Sequence, residues 1–375
     1  MSAETTIRQL AAIAEIEFNG SRPFDIRVHE PLFYQRILDE GSRGFGNSYM
    51  DGWWDCDNLE ELFFRILSSG ARHQLRLNPH ILLAAAQARV MNLQSRQRAF
   101  QIGERHYDWG NELFLAMLGR TMAYSCGYFP NGVEDLDQAQ DAKLDLVCRK
   151  LKLEPGMRLL DIGCGFGSLL RYAAQNYGVS GVGVTVSVEQ ARLARQLCDG
   201  LDVEIREQDY RRINGQFDAI ASIGMVEHVG YKNFRQFMAV AARSLAPHGH
   251  FCLHTITSNV SVKQGDPWLN ERIFPNSMLP SVPQLGRAAE GYFVIEDVHN
   301  IGPGYFHTTR GWIGNLTGGW PELEKFDRDR YCPRNFRMWM YYLPSSGAIF
   351  HTRQAQVQQI VFSHEGGVPG YVSVR

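Results

Sequence analysis

The chain has 375 residues, 44% of them hydrophobic and 21% charged, with a formal net charge of -2. That length allows one large domain or two ordinary ones with ample cores, and the near-neutral balance gives no global argument for nucleic-acid binding. Seven cysteines (Cys56, Cys126, Cys148, Cys164, Cys198, Cys252 and Cys332) are scattered and never spaced C-x-x-C. This excludes a disulfide framework and a zinc site, predicts no bound metal, and suits reduced cytoplasmic thiols.

The opening stretch, "MSAETTIRQLAAIAEIEF", carries Glu4, Glu15 and Glu17 and lacks a basic segment ahead of an apolar core. It is not expected to be a secretory signal. No apolar run approaches the ~20 residues of a membrane-spanning helix.

Residues 1–98 read as a helical domain interrupted by a glycine-rich patch, "DEGSRGFGNSYMDGWWDCDN" (39–58), whose glycines are expected to mark turns, Asp51-Gly52 among them. From Arg65 to Gly103 there is no Asp or Glu, but Arg65, Arg72, Arg76, Arg89, Arg96 and Arg98 are interleaved with "ILLAAAQARVMNL". Two readings stay open: a solvated helix face, or a surface that meets anionic lipid headgroups, each basic group contributing about 1 kcal/mol.

Residues 99–375 form the second expected domain. After a helical stretch containing "HYDWGNELFLAML" (106–118), short apolar runs alternate with helical segments from Met157: "RLLDIG", "GVGVTVS", "VEIREQD", "DAIASIG" and "HFCLHTI". This alternation predicts an α/β fold with a parallel, doubly wound sheet covered on both faces. "YFVIEDVHNIG" (292–302) and "QVQQIVFS" (356–363) are expected to be its last strands.

"LLDIGCGFG" (159–167) places a strand, then Asp161, then Gly163, Gly165 and Gly167 ahead of a helix. The glycines let the turn run tight and let backbone approach a ligand closely. Dinucleotide enzymes use such a turn too, but a carboxylate ahead of its first glycine repels a pyrophosphate and suits a cationic ligand. S-adenosylmethionine, with an ammonium, a sulfonium and no phosphate, fits better than NAD. At the end of the second strand Thr185, Ser187 and Gln190 offer hydrogen bonds to a sugar or amino-acid tail. Asp209 and Tyr210 follow the third strand and can meet the adenine, although Tyr210 also reads as plain core packing.

The fourth strand, "FDAIASIG", ends in Glu227 and His228, and the fifth ends at His254 in "LHTIT". Open α/β sheets bind ligands at these carboxyl ends. A lone histidine is more often structural; two neighbouring strands each ending in an ionisable group at the ligand edge are less easily dismissed.

At these residues the chain resembles the cyclopropane-fatty-acyl-phospholipid synthases. The similar stretches include "SYMDGWWDCDNL", "HYDWGNELF", "YSCGYF", "LDIGCGFGSLL", "GVTVSVEQ", "GMVEHVG", "DPWLNERIFPNSMLPS", "EDVHNIGPGY" and "FRMWMYYL". The resemblance implies a class I S-adenosylmethionine-dependent methyltransferase fold with a smaller amino-terminal helical domain. It further implies an enzyme that adds a methylene across the double bond of an unsaturated membrane phospholipid, working as a homodimer on the inner face of the cell membrane. An alkene is a poor nucleophile, so the methyl must be held in line with it; the resulting carbocation must be kept from water, and ring closure needs a base that does not add to the cation. The resemblance supplies that base as a bicarbonate ion held by Cys126, Glu227, His254, Ile256 and Tyr305. It assigns Tyr124 and Ser125 to the cofactor's amino-acid end and gives His228 no chemical role beyond orienting its loop.

Alternatives on the same residues are a methyl-branched product, N-methylation of a soluble amine, a non-catalytic lipid-binding relative, and Cys126 as a nucleophile, though no general base neighbours Cys126 in sequence. "HYD" (106–108) is expected to order a helix over the cofactor. Aromatic and Met residues of 268–280, Trp312 and 336–342 are candidates for an acyl slot, with core packing as the plainer reading. Ser346 stands where many relatives carry a cysteine, a change the mechanism tolerates because it uses no thiolate there, and Pro344 is expected to disturb the local turn.

Overall fold

The computed structural model describes residues 2–70, 109–130, 132–366 and 370–375. Most of the arginine-rich segment, the "HYD" triplet and the expected domain boundary near residue 98 lie outside these.

The amino-terminal region is helical: α1 (Ala3–Ile13), α2 (Phe33–Glu40), α3 (Ser42–Met50) and α4 (Leu59–Ser68), with a two-stranded ribbon pairing β1 (Arg27–Val28) with β2 (Trp54–Asp55). The glycine-rich patch is therefore not all turn. Gly52, at φ +75°, does turn the chain, but Gly44 and Gly46 lie inside α3. Glycine costs a helix about 1 kcal/mol relative to alanine. At Gly46 close packing explains it, because an added Cβ would overlap the indole of Trp268.

After α5 (Asn111–Leu118) and α6 (Leu136–Lys150) comes the central sheet. Its strands are β3 (Arg158–Ile162), β4 (Ser180–Thr185), β5 (Val203–Glu207), β6 (Phe217–Ile223), β7 (Leu245–Ser258), β8 (Val294–Asn300) and β9 (Ala355–Ser363). They lie in the order β5-β4-β3-β6-β7-β9-β8. The first five are parallel, with helices α7 (Ser168–Tyr177), α8 (Val188–Leu197) and α9 (Phe234–Ser244) as crossovers. The expectation of a wholly parallel sheet is corrected at one edge: β9 inserts between β7 and β8 and runs antiparallel to both. All nine residues of β9 are buried, including Gln356, Gln358 and Gln359.

Between β7 and β9 the chain forms α10 (Pro267–Arg272), α11 (Val282–Ala289), β8 and the long pair α12 (Gly304–Phe326) and α13 (Pro333–His351). Pro344 is buried within α13, which continues through it, so the expected local disturbance is absent. Ser346 is half-buried on that helix.

The amino-terminal helices have no separate core among the described residues. Tyr341 of α13 meets Phe45, Phe63 and Trp268 at ring-centroid distances of 6.0, 5.0 and 4.5 Å. Arg337 donates to the carbonyls of Tyr49 and Trp54 at 2.5 and 2.7 Å. Aliphatic and aromatic side chains of α1–α4, α5, α12 and α13 thus form one contiguous cluster.

Candidate active site

The strand order reverses at β3, which pairs with β4 on one side and β6 on the other. A cavity opens at the carboxyl ends of these strands, as expected for an open α/β sheet. Tyr124, Ser125, Asp161, Gly163, Gly165, Thr185, Gln190, Asp209 and Tyr210, nine of the residues expected to hold the cofactor, line it, whereas Ser187, also expected to reach the sugar or tail, is not among the lining residues.

The glycine turn builds the floor. Gly163, Gly165 and Gly167 have φ of +84°, +54° and +78°, in the left-handed region that disfavours residues with a Cβ. At Gly163 a Cβ would also overlap the Met225 side chain on the facing wall. The amides of Gly163 and Cys164 both donate to the Val184 carbonyl, at 2.9 and 3.0 Å, locking the turn to β4.

Asp161 is 3% exposed and its Oδ1 has no hydrogen-bond partner among the described residues. Burial pushes its carboxyl up to about 7, with the nearby Lys143 charge pulling the other way. A buried polar oxygen without a partner is costly, and this one is suited to a donor arriving from the cavity.

At the end of β4, Thr185 Oγ1 donates to Gln190 Oε1 at 3.0 Å and accepts from the Ser187 amide at 3.2 Å, while Ser187 caps α8 through the Gln190 amide. Hydroxyls and an amide therefore stand where an acid is common. Asp209 is more committed than its sequence position suggests. Its Oδ1 accepts from the Arg211 amide and its Oδ2 from the Arg211 guanidinium at 2.7 Å, a buried ion pair. Beside it, Tyr210 packs edge-on against Phe237 while also lining the cavity.

None of the five residues expected to hold the anion is among those lining the cavity, but three of them adjoin residues that do. Cys126 follows Ser125, Glu227 precedes His228, and His254 pairs in register with Ile223, where Ser125, His228 and Ile223 all line the cavity. Glu227 Oε1 accepts the Ile256 amide hydrogen at 2.8 Å, and its buried Oε2 has no partner among the described residues. Burial pushes this carboxyl up to about 7, against the pull of the Ile256 amide. The Ile256 amide is thus engaged by Glu227 instead of being free for an anion.

Tyr305 is buried, so its phenol stays protonated, and negative charge on Tyr342, Cys126 or Glu227 would raise it further. Cys126 Sγ rests 3.2 Å from the Gly127 carbonyl and 3.7 Å from that of Ile301, and burial pushes its thiol up. His254 Nδ1 faces the Gln359 amide nitrogen at 3.4 Å across the β7–β9 pair. Nδ1 is then the acceptor and the proton stands on Nε2. Burial, with the charges of Lys143 and Lys150, holds the imidazole neutral. Among the described residues His254 makes no hydrogen bond to Glu227 or Tyr305.

Three features escaped sequence reading. Lys143 and Gln140 of α6 reach the Tyr124–Cys126 loop, with Lys143 Nζ 3.0 Å from Ser125 Oγ and Gln140 Nε2 2.8 Å from the Ser125 carbonyl. Their signal was a lysine and a glutamine on the stripe Gln140, Lys143, Leu144 and Val147 that an amphipathic helix buries. His228 lines the cavity, its Nδ1 buried without a partner among the described residues; burial lowers it to about 4 and keeps it neutral. The residues expected to line an acyl slot pack on their neighbours. Trp268, Trp312 and Trp339 are fully buried, Tyr305 lies tilted against Phe350 at 4.4 Å, and Phe274 meets Tyr342 at 5.7 Å. Core packing is the better description of these aromatics as they stand.

Known proteins are similar to this chain in sequence and fold. The mycolic acid cyclopropane synthetase family matches residues 94–360. The cyclopropane-fatty-acyl-phospholipid synthase of Escherichia coli K12 is 49% identical over 355 residues, covering 95% of this chain and 92% of its own. Among solved structures, mycolic acid cyclopropane synthase CmaA1 complexed with S-adenosylhomocysteine and CTAB superposes with a TM-score of 0.64 at 30% identity, over 70% of this chain and 97% of that one. Coclaurine N-methyltransferase, at 20% identity, reaches a TM-score of 0.70 over 85% of this chain and 98% of its own and shares the fold. Sheet order, glycine turn and sequence agree: this is a class I S-adenosylmethionine-dependent methyltransferase fold, and the chain belongs to the mycolic acid cyclopropane synthetase family.

Proposed function

We propose that this protein is a cyclopropane-fatty-acyl-phospholipid synthase that acts on unsaturated acyl chains of membrane phospholipids. The observation that carries the reading is the buried, half-satisfied Glu227 carboxyl, tied to Ile256 and adjoining His228, which lines a cavity suited to S-adenosylmethionine. When bound, S-adenosylmethionine supplies an electrophilic methyl group.

The chain's own residues then have three tasks. The first is positioning: the glycine turn, Thr185, Gln190 and the Tyr124–Ser125 loop surround the cofactor, so the alkene need only be aligned. The second is exclusion of water, for which the packed aromatics of α12 and α13 are suited; Tyr305 and Trp312, 5.8 Å apart, also offer π faces to a cation. The third is removal of a proton so that the C–H electron pair can close the ring. A bicarbonate ion held by Cys126, Glu227, His254, Ile256 and Tyr305 would supply the base. Neutral His254 and Tyr305 are donors to such an anion, and Glu227 Oε2 can accept its hydrogen. Engaging the Ile256 amide as well would require Glu227 to release it.

We further propose that the acid-free segment from Arg65 to Gly103 meets the anionic inner face of the membrane, that residues 1–98 act as a lipid-contacting region, and that the enzyme is a homodimer in the cytoplasm. No helix among the described residues is long and apolar enough to cross a membrane, which fits a peripheral arrangement.

The test is incubation of purified protein with S-adenosylmethionine and vesicles of an unsaturated phospholipid. Expected products are S-adenosylhomocysteine and a lipid heavier by one methylene and lacking the double bond. A heavier lipid that keeps a double bond or carries a methyl branch would replace this reading with the methyl-branched one.

A further inference from the structure

Lys143 is a buried cation with no opposite charge paired to it among the described residues. It is 1% exposed, lies on the cavity wall, and makes no ion pair there. Its one hydrogen bond among the described residues is from Nζ to Ser125 Oγ at 3.0 Å. Asp161 shares the same cavity, 3% exposed, with Oδ1 unpartnered. An acid and a base facing one cavity, each buried and neither neutralising the other in direct contact, are costly unless a ligand supplies both counter-charges. A zwitterion does so.

We propose that Lys143 recognises the carboxylate of the cofactor's α-amino-acid tail, with Asp161 taking the ammonium. This rests on the reading that the cavity holds S-adenosylmethionine. The Ser125 hydroxyl reinforces it: since Ser125 Oγ accepts from Lys143, its own hydrogen is released toward the same carboxylate. The charges are consistent, since burial lowers Lys143 only to about 8 and raises Asp161 to about 7, leaving each responsive to an incoming partner. The competing role is mechanical: Lys143 and Gln140, one helical turn apart, grip the Tyr124–Cys126 loop. Lys143 is a binding residue on the first account and a loop anchor on the second.

Calorimetric titration of the full chain separates the two, using S-adenosylhomocysteine, its decarboxylated analogue and 5′-deoxy-5′-methylthioadenosine, which lacks the tail. Lys143→Met is expected to weaken S-adenosylhomocysteine by about 10- to 100-fold, the usual worth of a hydrogen bond to a charged group. It should leave the other two ligands within about threefold, and their retained binding shows that the pocket has folded. Equal weakening of all three ligands, or of none, overturns the proposal. Wild-type protein gives an independent measurement should the variant not fold: it must prefer S-adenosylhomocysteine to the decarboxylated analogue by at least about tenfold, and equal affinities overturn the proposal. Wild-type protein that binds none of the three overturns the cavity assignment itself.

Discussion

Glu227 Oε1 accepts the Ile256 amide hydrogen at 2.8 Å, and this bond ties the turn after β6 to the carboxyl end of β7. It also fixes one carboxyl oxygen and leaves the other buried without a partner among the described residues.

Stability should depend on pH through that carboxyl. Burial raises Glu227 from 4.5 to about 7, so the folded chain holds its proton more tightly than the unfolded chain. The resulting stabilisation is complete below the unfolded value and is lost as pH rises through 7. A glutamine side chain at this position mimics the protonated acid. Glu227→Gln is therefore expected to lose about 100-fold in turnover, as for removal of a proton-handling group. In thermal melts it should equal the wild type at pH 4, below the unfolded value, and exceed it at pH 8 by on the order of 1–3 kcal/mol. A variant less stable than the wild type at pH 8 would show the carboxyl to be ionised in the folded protein.

Tyr305 and Cys126 should separate sharply. The Tyr305 hydroxyl is a buried donor, and Tyr305→Phe is expected to reduce kcat by about 100-fold with S-adenosylhomocysteine affinity unchanged. The Cys126 thiol is held protonated by burial, so it serves poorly as a nucleophile. The anion contact proposed for Cys126 is through its backbone N–H, which alanine keeps, so Cys126→Ala should keep kcat within about tenfold of the wild type. Loss of all turnover in Cys126→Ala, with folding intact, would revive the nucleophile.

Gly46→Ala tests the union of the amino-terminal helices with the rest of the molecule. Helix propensity alone would favour alanine by about 1 kcal/mol. Overlap with the Trp268 indole reverses the sign, and a loss of about 1–3 kcal/mol is expected in denaturant unfolding. A gain in stability would mean that α3 and α10 are not in close contact.

Membrane association is expected to be electrostatic. Sedimentation with anionic vesicles should fall steeply between low and high salt. Replacing Arg72, Arg76 and Arg89 with Glu should remove at least about 3 kcal/mol of binding, at about 1 kcal/mol per basic group. Turnover on detergent-dispersed lipid should persist. Salt-independent sedimentation would point to apolar insertion instead.

Much of this protein was legible before any coordinates. Short, continuous apolar runs between helical segments specify strands buried on both faces because the run is a local property, and "DIGCGFG" specifies its turn because only glycine tolerates those three positive φ values without strain. Topology put Glu227 and His254 at strand ends, the edge at which such sheets bind ligands. What the chain could not reveal alone were facts about distant neighbours. Gly46 lies in a helix because Trp268, 222 positions later, occupies the space of its Cβ. Likewise the position and direction of β9 are set by its pairing with β7 and β8, both remote from it in the chain. Lys143 resembles any surface lysine until α6 docks and removes it from water, and the Ile256 amide looks free until Glu227 turns toward it. Local sequence determines conformation through sterics and periodicity; which polar groups end up facing one another out of solvent is decided only by long-range packing.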